Sequence, residues 1–167
     1  MKTTIAIAFV IGVIVLGVFV MNNSPASEST SDQLPNVVLQ EADGSDITLS
    51  SFIGKPLVVN SWAVWCPFCR QELPDFAALQ KEFGDAVVVI AVDRGEPREK
   101  AKGYTDELGI TNDMIFLLDP SDAFYKAIGG FSMPETIFVT ATGDIALHKR
   151  GPMTLEEMRE AVNQYLR

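Results

Sequence analysis

Two short stretches of the chain are mostly apolar, which is the pattern of a strand buried on both faces. They are Leu57–Trp62 and residues 86–92. Between them, apolar side chains recur at helical spacing over Pro67–Phe83, with Pro74 inside the helix and Gly84 just past its end. Weaker patterns predict further strands at 36–40, 46–48, 114–118, 136–140 and 145–149, and helices at 96–108, 122–128 and 154–166. Strands that alternate with helices and end in a late hairpin predict an α/β fold with a mixed sheet.

The N-terminus has a different pattern from the rest of the chain. Residues 5–21 are apolar throughout, counting glycines, which predicts a membrane anchor or a cleaved signal segment. We favour the anchor, because the apolar stretch is longer than the core of most signal peptides. Lys2 lies on one side and Glu28 and Asp32 lie on the other, so everything after Met21 is expected outside the cytoplasm. The predicted organisation is therefore a membrane segment at 1–21, a flexible linker at 22–33 and one domain at 34–167.

Composition and charge exclude several classes of function. The net charge of -9 argues against a nucleic-acid partner, which requires clustered Lys and Arg. The chain has two Cys and one His, too few for a zinc site with four thiolates or two imidazoles. We therefore expect neither a metal nor another cofactor, apart from a redox-active pair formed by the two cysteines.

Cys66 and Cys69 lie at the point where the strand Leu57–Trp62 ends and the helix Pro67–Phe83 begins. A separation of three residues brings both sulfurs to the same side of the first helical turn. Free N–H groups and the positive end of the helix dipole favour a thiolate on Cys66, and Pro67 fits the first helical position. Half of a zinc site and a purely structural disulfide are the alternatives, but no second cysteine pair exists and the closed loop is tiny. The pattern therefore favours thiol–disulfide exchange.

The domain resembles the thioredoxin superfamily, and within it the membrane-anchored, extracytoplasmic TlpA/ResA-like branch. The resemblance is carried by segments at 34–36, 43–44, 49–55 (LSSFIGK), 58–66 (VVNSWAVWC), 72–74 (ELP) and 133–136 (MPET). It implies a thioredoxin-like fold: a central mixed β-sheet flanked by helices, with an N-terminal β-hairpin and an inserted βα unit matching residues 86–108.

The candidate catalytic residues have different expected roles. Cys66, at the exposed end of the helix, is expected to be the nucleophile, and Cys69, covered by its own turn, is expected to resolve the mixed disulfide. Asn60 stands where soluble thioredoxins carry a buried Asp, so the proton acceptor has to be another group. Glu72 matches an acidic residue that this branch carries close to the disulfide, and it is the candidate acceptor for the Cys69 proton; the alternative is a solvated helix residue.

The resemblance also implies a substrate-binding surface around the disulfide, formed by Trp65, Pro67, Phe68, Met133 and Pro134. Met133-Pro134 matches the cis-proline of the family, which leaves the main chain of Met133 free to pair with an extended substrate. The residues between the cysteines, Pro67 and Phe68, depart from the pair usual in this branch. Because these residues tune the reduction potential, the direction of electron flow does not carry over from the family.

The expected function is that of an oxidoreductase acting on cysteine-containing protein substrates, with cytochrome c maturation as the usual role of this branch. The expected partners are those substrates, an electron-transfer partner at or outside the membrane, and the membrane itself; we expect a monomer. The alternative is an extracytoplasmic copper-binding chaperone on the same fold, with His148 as third ligand. Otherwise His148 is expected at an exposed edge, and residues 94–102 on a solvated helix face.

Overall fold

A computed structural model describes residues 32–167, so the predicted membrane segment and most of the predicted linker lie outside the described residues. Within that range the strands are β1 (Val38–Gln40), β2 (Asp46–Thr48), β3 (Leu57–Trp62), β4 (Val88–Arg94), β5 (Ile115–Asp119), β6 (Glu135–Val139) and β7 (Ile145–Arg150). The helices are α1 (Pro67–Phe83), α2 (Arg98–Leu108), α3 (Ala123–Ala127) and α4 (Leu155–Tyr165), with short 3-10 helices at Leu49–Phe52 and Gly84–Ala86. No helix in residues 32–167 is long and apolar enough to span a bilayer.

The strands form one mixed sheet in the order β2-β1-β5-β4-β3-β6-β7. The central strands β3, β4 and β5 are parallel, whereas β1, β6 and β7 pair antiparallel with their neighbours. β1 and β2 form the N-terminal hairpin, with Leu39 paired to Ile47. The α/β fold with a mixed sheet and an N-terminal hairpin is therefore confirmed.

Helices cover both faces of the sheet, which is why all of β3 and all but the two end residues of β4 are buried. Alternate side chains of β3 enter two different cores. Val58 and Trp62 join α1, α2 and α4 on one face, and Leu57 and Val59 join α3 and the hairpin on the other. This arrangement puts β3 in the middle of the domain and leaves its carboxyl end open for the following loop.

All of these strand and helix boundaries agree with the sequence prediction within two residues, and β3 and α1 have the predicted bounds. β4 is shifted by two residues: it starts at Val88, after a 3-10 helix at residues 84–86, and continues to Arg94. The predicted linker also ends earlier than expected. Asp32 O accepts a hydrogen bond from Ile145 N, and Gln33 pairs with Asp144, so both residues already belong to the folded domain.

Candidate active site

The two cysteines form a disulfide at the N-terminus of α1, with their Cα atoms 5.3 Å apart. Cys66 is the N-cap residue, and its Sγ accepts a hydrogen bond from the backbone N–H of Cys69 at 3.1 Å. Pro67 occupies the first helical turn, where a missing N–H costs nothing. Cys66 is less accessible than its position at a helix end suggested: its exposed fraction is 2%, against 0% for Cys69.

Apolar side chains surround the disulfide on the surface. Trp65 and Phe68 are exposed by 58% and 54%, and Pro67 between the cysteines is exposed too. Trp62, three residues before Trp65, is by contrast fully buried in the core. Large exposed apolar groups on both sides of a reactive disulfide form a surface suited to binding a polypeptide.

A second loop reaches the same end of the sheet. The Met133–Pro134 peptide bond is cis, as the resemblance implied. Glu135, the first residue of β6, pairs with Ser61 near the carboxyl end of β3, so residues 131–134 run beside the segment that leads to Cys66. The Met133 side chain packs against the core cluster that contains both cysteines, and Pro134 is buried.

Glu72 lies on the buried face of α1 and is not a solvated helix residue. Its two carboxylate oxygens accept hydrogen bonds from Asn60 Nδ2 at 2.9 Å and from Met153 N at 3.0 Å. Asn60 Nδ2 also donates to Thr136 Oγ1 at 3.0 Å. Burial raises the pKa of Glu72 to about 7, against the opposing effect of the hydrogen bonds from Met153 and Asn60. A carboxyl with this pKa can accept or release a proton near neutral pH.

A second buried acid was not recognised in the sequence. Asp93 pairs in register with Trp62 and is fully buried, and its Oδ1 accepts a hydrogen bond from Glu96 N at 3.1 Å. Burial, together with the nearby negative charge of Glu96, raises the pKa of Asp93 well above its ordinary value. Glu96 in turn accepts a hydrogen bond from Val64 N, in the loop before Cys66. The only available signal was the position of Asp93 at the end of an apolar run.

Two expectations about surface residues were wrong in part. His148 lies on the edge strand β7, as expected, but it is half-buried, and its Nε2 lies 2.6 Å from a carboxylate oxygen of the buried Glu135. Arg94, placed on a solvated face by its sequence pattern, forms two hydrogen bonds to Asp122 and lies over the Tyr125 ring. In both cases the partner comes from a distant part of the chain.

The copper-binding alternative gains no support from this geometry. Its proposed third ligand, His148, is engaged by Glu135. Throughout residues 32–167, no group of three or more His, Cys, Asp and Glu side chains is arranged to hold a metal ion.

A disulfide at the start of the helix that follows the central strand, beside a cis-proline loop, defines the protein as a thioredoxin-like thiol–disulfide oxidoreductase. The chain belongs to the Redoxin family, whose sequence profile matches residues 29–166.

Relatives and solved structures agree with this class. The chain is 31% identical over 134 residues to the thioredoxin-like protein YneN of Bacillus subtilis, covering 78% of this chain and 77% of YneN. It is 28% identical over 138 residues to the thiol-disulfide oxidoreductase ResA of the same organism, covering 82% and 76% of the two chains. The exposed lipoprotein thioredoxin of Streptococcus pneumoniae superposes with a TM-score of 0.65 at 26% identity, over 78% of this chain and 99% of that one.

Proposed function

We propose that this oxidoreductase exchanges disulfides with cysteines of protein substrates on the outer side of the cytoplasmic membrane. The observation that carries the proposal is the Cys66–Cys69 disulfide at the N-terminus of α1, beside the exposed side chains of Trp65 and Phe68. The disulfide supplies the reactive group, and the apolar side chains supply a surface for a polypeptide around it.

In the reducing direction, the Cys66 thiolate attacks a substrate disulfide and one substrate sulfur leaves as a thiolate. Cys69 then attacks the Cys66 sulfur of the mixed disulfide and releases the second substrate thiolate. The substrate gains two electrons, and the Cys66–Cys69 disulfide re-forms. The reverse sequence oxidises a substrate dithiol. The N–H of Cys69, which donates to Cys66 Sγ, supports the negative charge on that sulfur.

Glu72 is proposed to accept the proton that Cys69 loses before it attacks. It lies one helical turn after Cys69, and its pKa of about 7 suits proton transfer at neutral pH. Asn60 and Met153 fix both carboxylate oxygens, so the group has a defined orientation.

The substrate chain is proposed to lie across Trp65, Pro67 and Phe68 and to pair with the main chain of Met133 next to Pro134. An extended segment can form backbone hydrogen bonds with such a loop, and these bonds do not depend on its side chains.

Trapping of the mixed disulfide tests the mechanism. Cys69→Ser should accumulate a mixed disulfide when its Cys66 thiolate attacks a peptide that contains a disulfide, because one peptide sulfur leaves as a thiolate and the resolving thiol is absent. Cys66→Ser is the matched control and should trap nothing. Trapping by Cys66→Ser instead would reverse the two roles, and a wild-type protein that does not exchange even with dithiothreitol would overturn the function.

For the substrate class we propose a Cys-x-x-Cys-His segment, the haem-attachment motif of c-type cytochromes. An electron-transfer partner at the membrane then resets the Cys66–Cys69 pair after each turnover. A peptide with this motif should exchange faster than a peptide with the same composition in which the His has been moved. Equal rates would exclude selection of the motif.

The proposed location depends on residues 5–21 acting as an anchor with the domain outside. A reporter that works only outside the cytoplasm should be active when fused after Arg167. Activity of a reporter that works only in the cytoplasm at the same position would contradict this orientation.

A further inference from the structure

Phe131 is the most exposed large apolar side chain of the described residues, at 86%, and no sequence pattern singles it out. It precedes Met133 by two residues, in the loop that runs beside the disulfide. Because β6 is antiparallel to β3 and Glu135 pairs with Ser61, this loop continues past the carboxyl end of β3, where the chain leads to Cys66. Phe131 therefore lies at the same end of the sheet as Trp65 and Phe68.

The backbone that carries Phe131 is tethered at several points. The N–H groups of Phe131 and Ser132 both donate to the same oxygen of Glu135, each at 2.6 Å. Tyr125 Oη donates to the carbonyl oxygen of Ser132 at 2.9 Å. Gly130 lies so close to the Tyr125 ring that a Cβ would not fit. An exposed aromatic ring on a fixed backbone needs little further ordering when a partner binds.

Glu135 is well suited to hold this loop. Its side chain is fully buried, and its second oxygen lies 2.6 Å from His148 Nε2 on β7, while Arg150 Nε lies 3.7 Å from the first. Burial raises the pKa of Glu135, but the N–H groups of Ser132 and Phe131 and the His148 side chain outweigh this and leave it below its ordinary value. The carboxylate is therefore charged at neutral pH, and hydrogen bonds to a charged acceptor are about twice as strong as neutral ones.

Tyr125 of α3, which donates to the carbonyl oxygen of Ser132, is itself held in place by contacts with Arg94. The guanidinium carbon of Arg94 lies 3.4 Å from the centroid of the Tyr125 ring, and two hydrogen bonds connect Arg94 to Asp122. Tyr125 is thus immobilised between β4 and the 131–134 loop. The loop is supported from α3 through Tyr125 and from β6 through Glu135.

We propose that Glu135 is a positioning residue that fixes the 131–134 loop, so that the Phe131 ring forms an apolar contact with the protein substrate beside its reacting cysteine. The inference rests on the proposed function and specifies the substrate: a polypeptide with a large apolar side chain near the cysteine. The disulfide itself needs neither residue to react with a small thiol.

The test compares two probes: dithiothreitol, and a two-cysteine peptide with flanking leucines. Phe131→Ala should raise KM for the peptide about tenfold, the loss typical of a buried aromatic contact, and change kcat less than twofold. Val38→Ala, an equally simple truncation of an exposed apolar residue on β1, the strand next to the opposite edge of the sheet, is the matched control and should leave KM unchanged. An unchanged KM for Phe131→Ala would overturn the contact.

Glu135 is tested by a pair of variants. Glu135→Ala should raise KM for the peptide. Glu135→Gln should leave KM at its wild-type value, because the amide oxygen still accepts from Phe131 and Ser132 while the amide nitrogen faces His148. Equal KM values for Glu135→Ala and the wild type would overturn the positioning role. If Glu135→Ala does not fold, Tyr125→Phe loosens the same loop without a buried charge, and there an unchanged KM overturns it. If the wild-type protein does not exchange disulfides with dithiothreitol, this would instead contradict the proposed function.

Discussion

The buried carboxyl of Glu72 gives the stability of the oxidised protein a measurable pH dependence. Its pKa is about 7 in the folded protein, compared with an ordinary value of 4.5. Between these pH values the unfolded chain releases a proton that the folded protein keeps, so the free energy of unfolding falls as pH rises. The contribution is complete below pH 4.5 and is lost as pH passes 7. Because a pKa difference of one is worth about 1.4 kcal/mol, Glu72 alone should lower the free energy of unfolding by about 3 kcal/mol.

Glu72→Gln removes this titration and keeps the size of the side chain. The absolute stability of the variant also changes, because an amide cannot accept from both Asn60 and Met153 as a carboxylate does. The informative quantity is therefore the difference between the two pH curves. It should change by about 3 kcal/mol between pH 4.5 and pH 7, with the variant having the flatter curve.

The assay is urea unfolding of the oxidised protein at constant ionic strength and at several pH values between 4.5 and 7.5. Glu160→Gln, which changes an exposed glutamate on α4, is the control and should give a curve parallel to the wild type. If the Glu72→Gln curve is parallel as well, Glu72 has the same pKa in the folded and unfolded states, and burial does not raise it.

Two further predictions use the same unfolding measurement. Asp93→Asn should also flatten the decrease in stability towards neutral pH, because burial and Glu96 raise the pKa of Asp93; a steeper decrease would contradict this. Thr154→Ala should lower the free energy of unfolding by about 1 kcal/mol at all pH values, since Thr154 and Glu157 form a capping box at the start of α4. No loss of stability in Thr154→Ala would show that the cap contributes nothing to the fold.

The path from β3 through the cysteines into α1 could be predicted because its signals are local. A mostly apolar run defines β3, Pro67 fits only the first helical turn, and Gly84 ends α1. The capping box of α4 is equally local, since Thr154 and Glu157 are three residues apart. In each case one turn or strand contains all the interacting residues.

The buried acids could not be predicted in this way, because their environments are assembled from distant segments. The partners of Glu72 are Asn60, twelve residues before it, and Met153, 81 residues after it. Asp93 is buried because β4 extends beyond its apolar run, which depends on its pairing with β3. The contact of Glu135 with His148 requires the antiparallel pairing of β6 with β7.

These three carboxyl groups differ in their donors, and the difference separates their roles. Glu135 accepts from two backbone N–H groups and from His148, which together outweigh the cost of burial and keep it charged. Glu72 accepts hydrogen bonds from only two neutral donors, and Asp93 Oδ1 accepts from a single backbone N–H. Burial therefore dominates and raises the pKa of both groups. A carboxylate that remains charged near neutral pH, such as Glu135, does not take up a proton there and is suited to holding its loop through charge-assisted hydrogen bonds. Reduction of a disulfide to two thiols takes up two protons with two electrons, and Glu72, with its raised pKa, is the group that we propose to exchange one of these protons with Cys69.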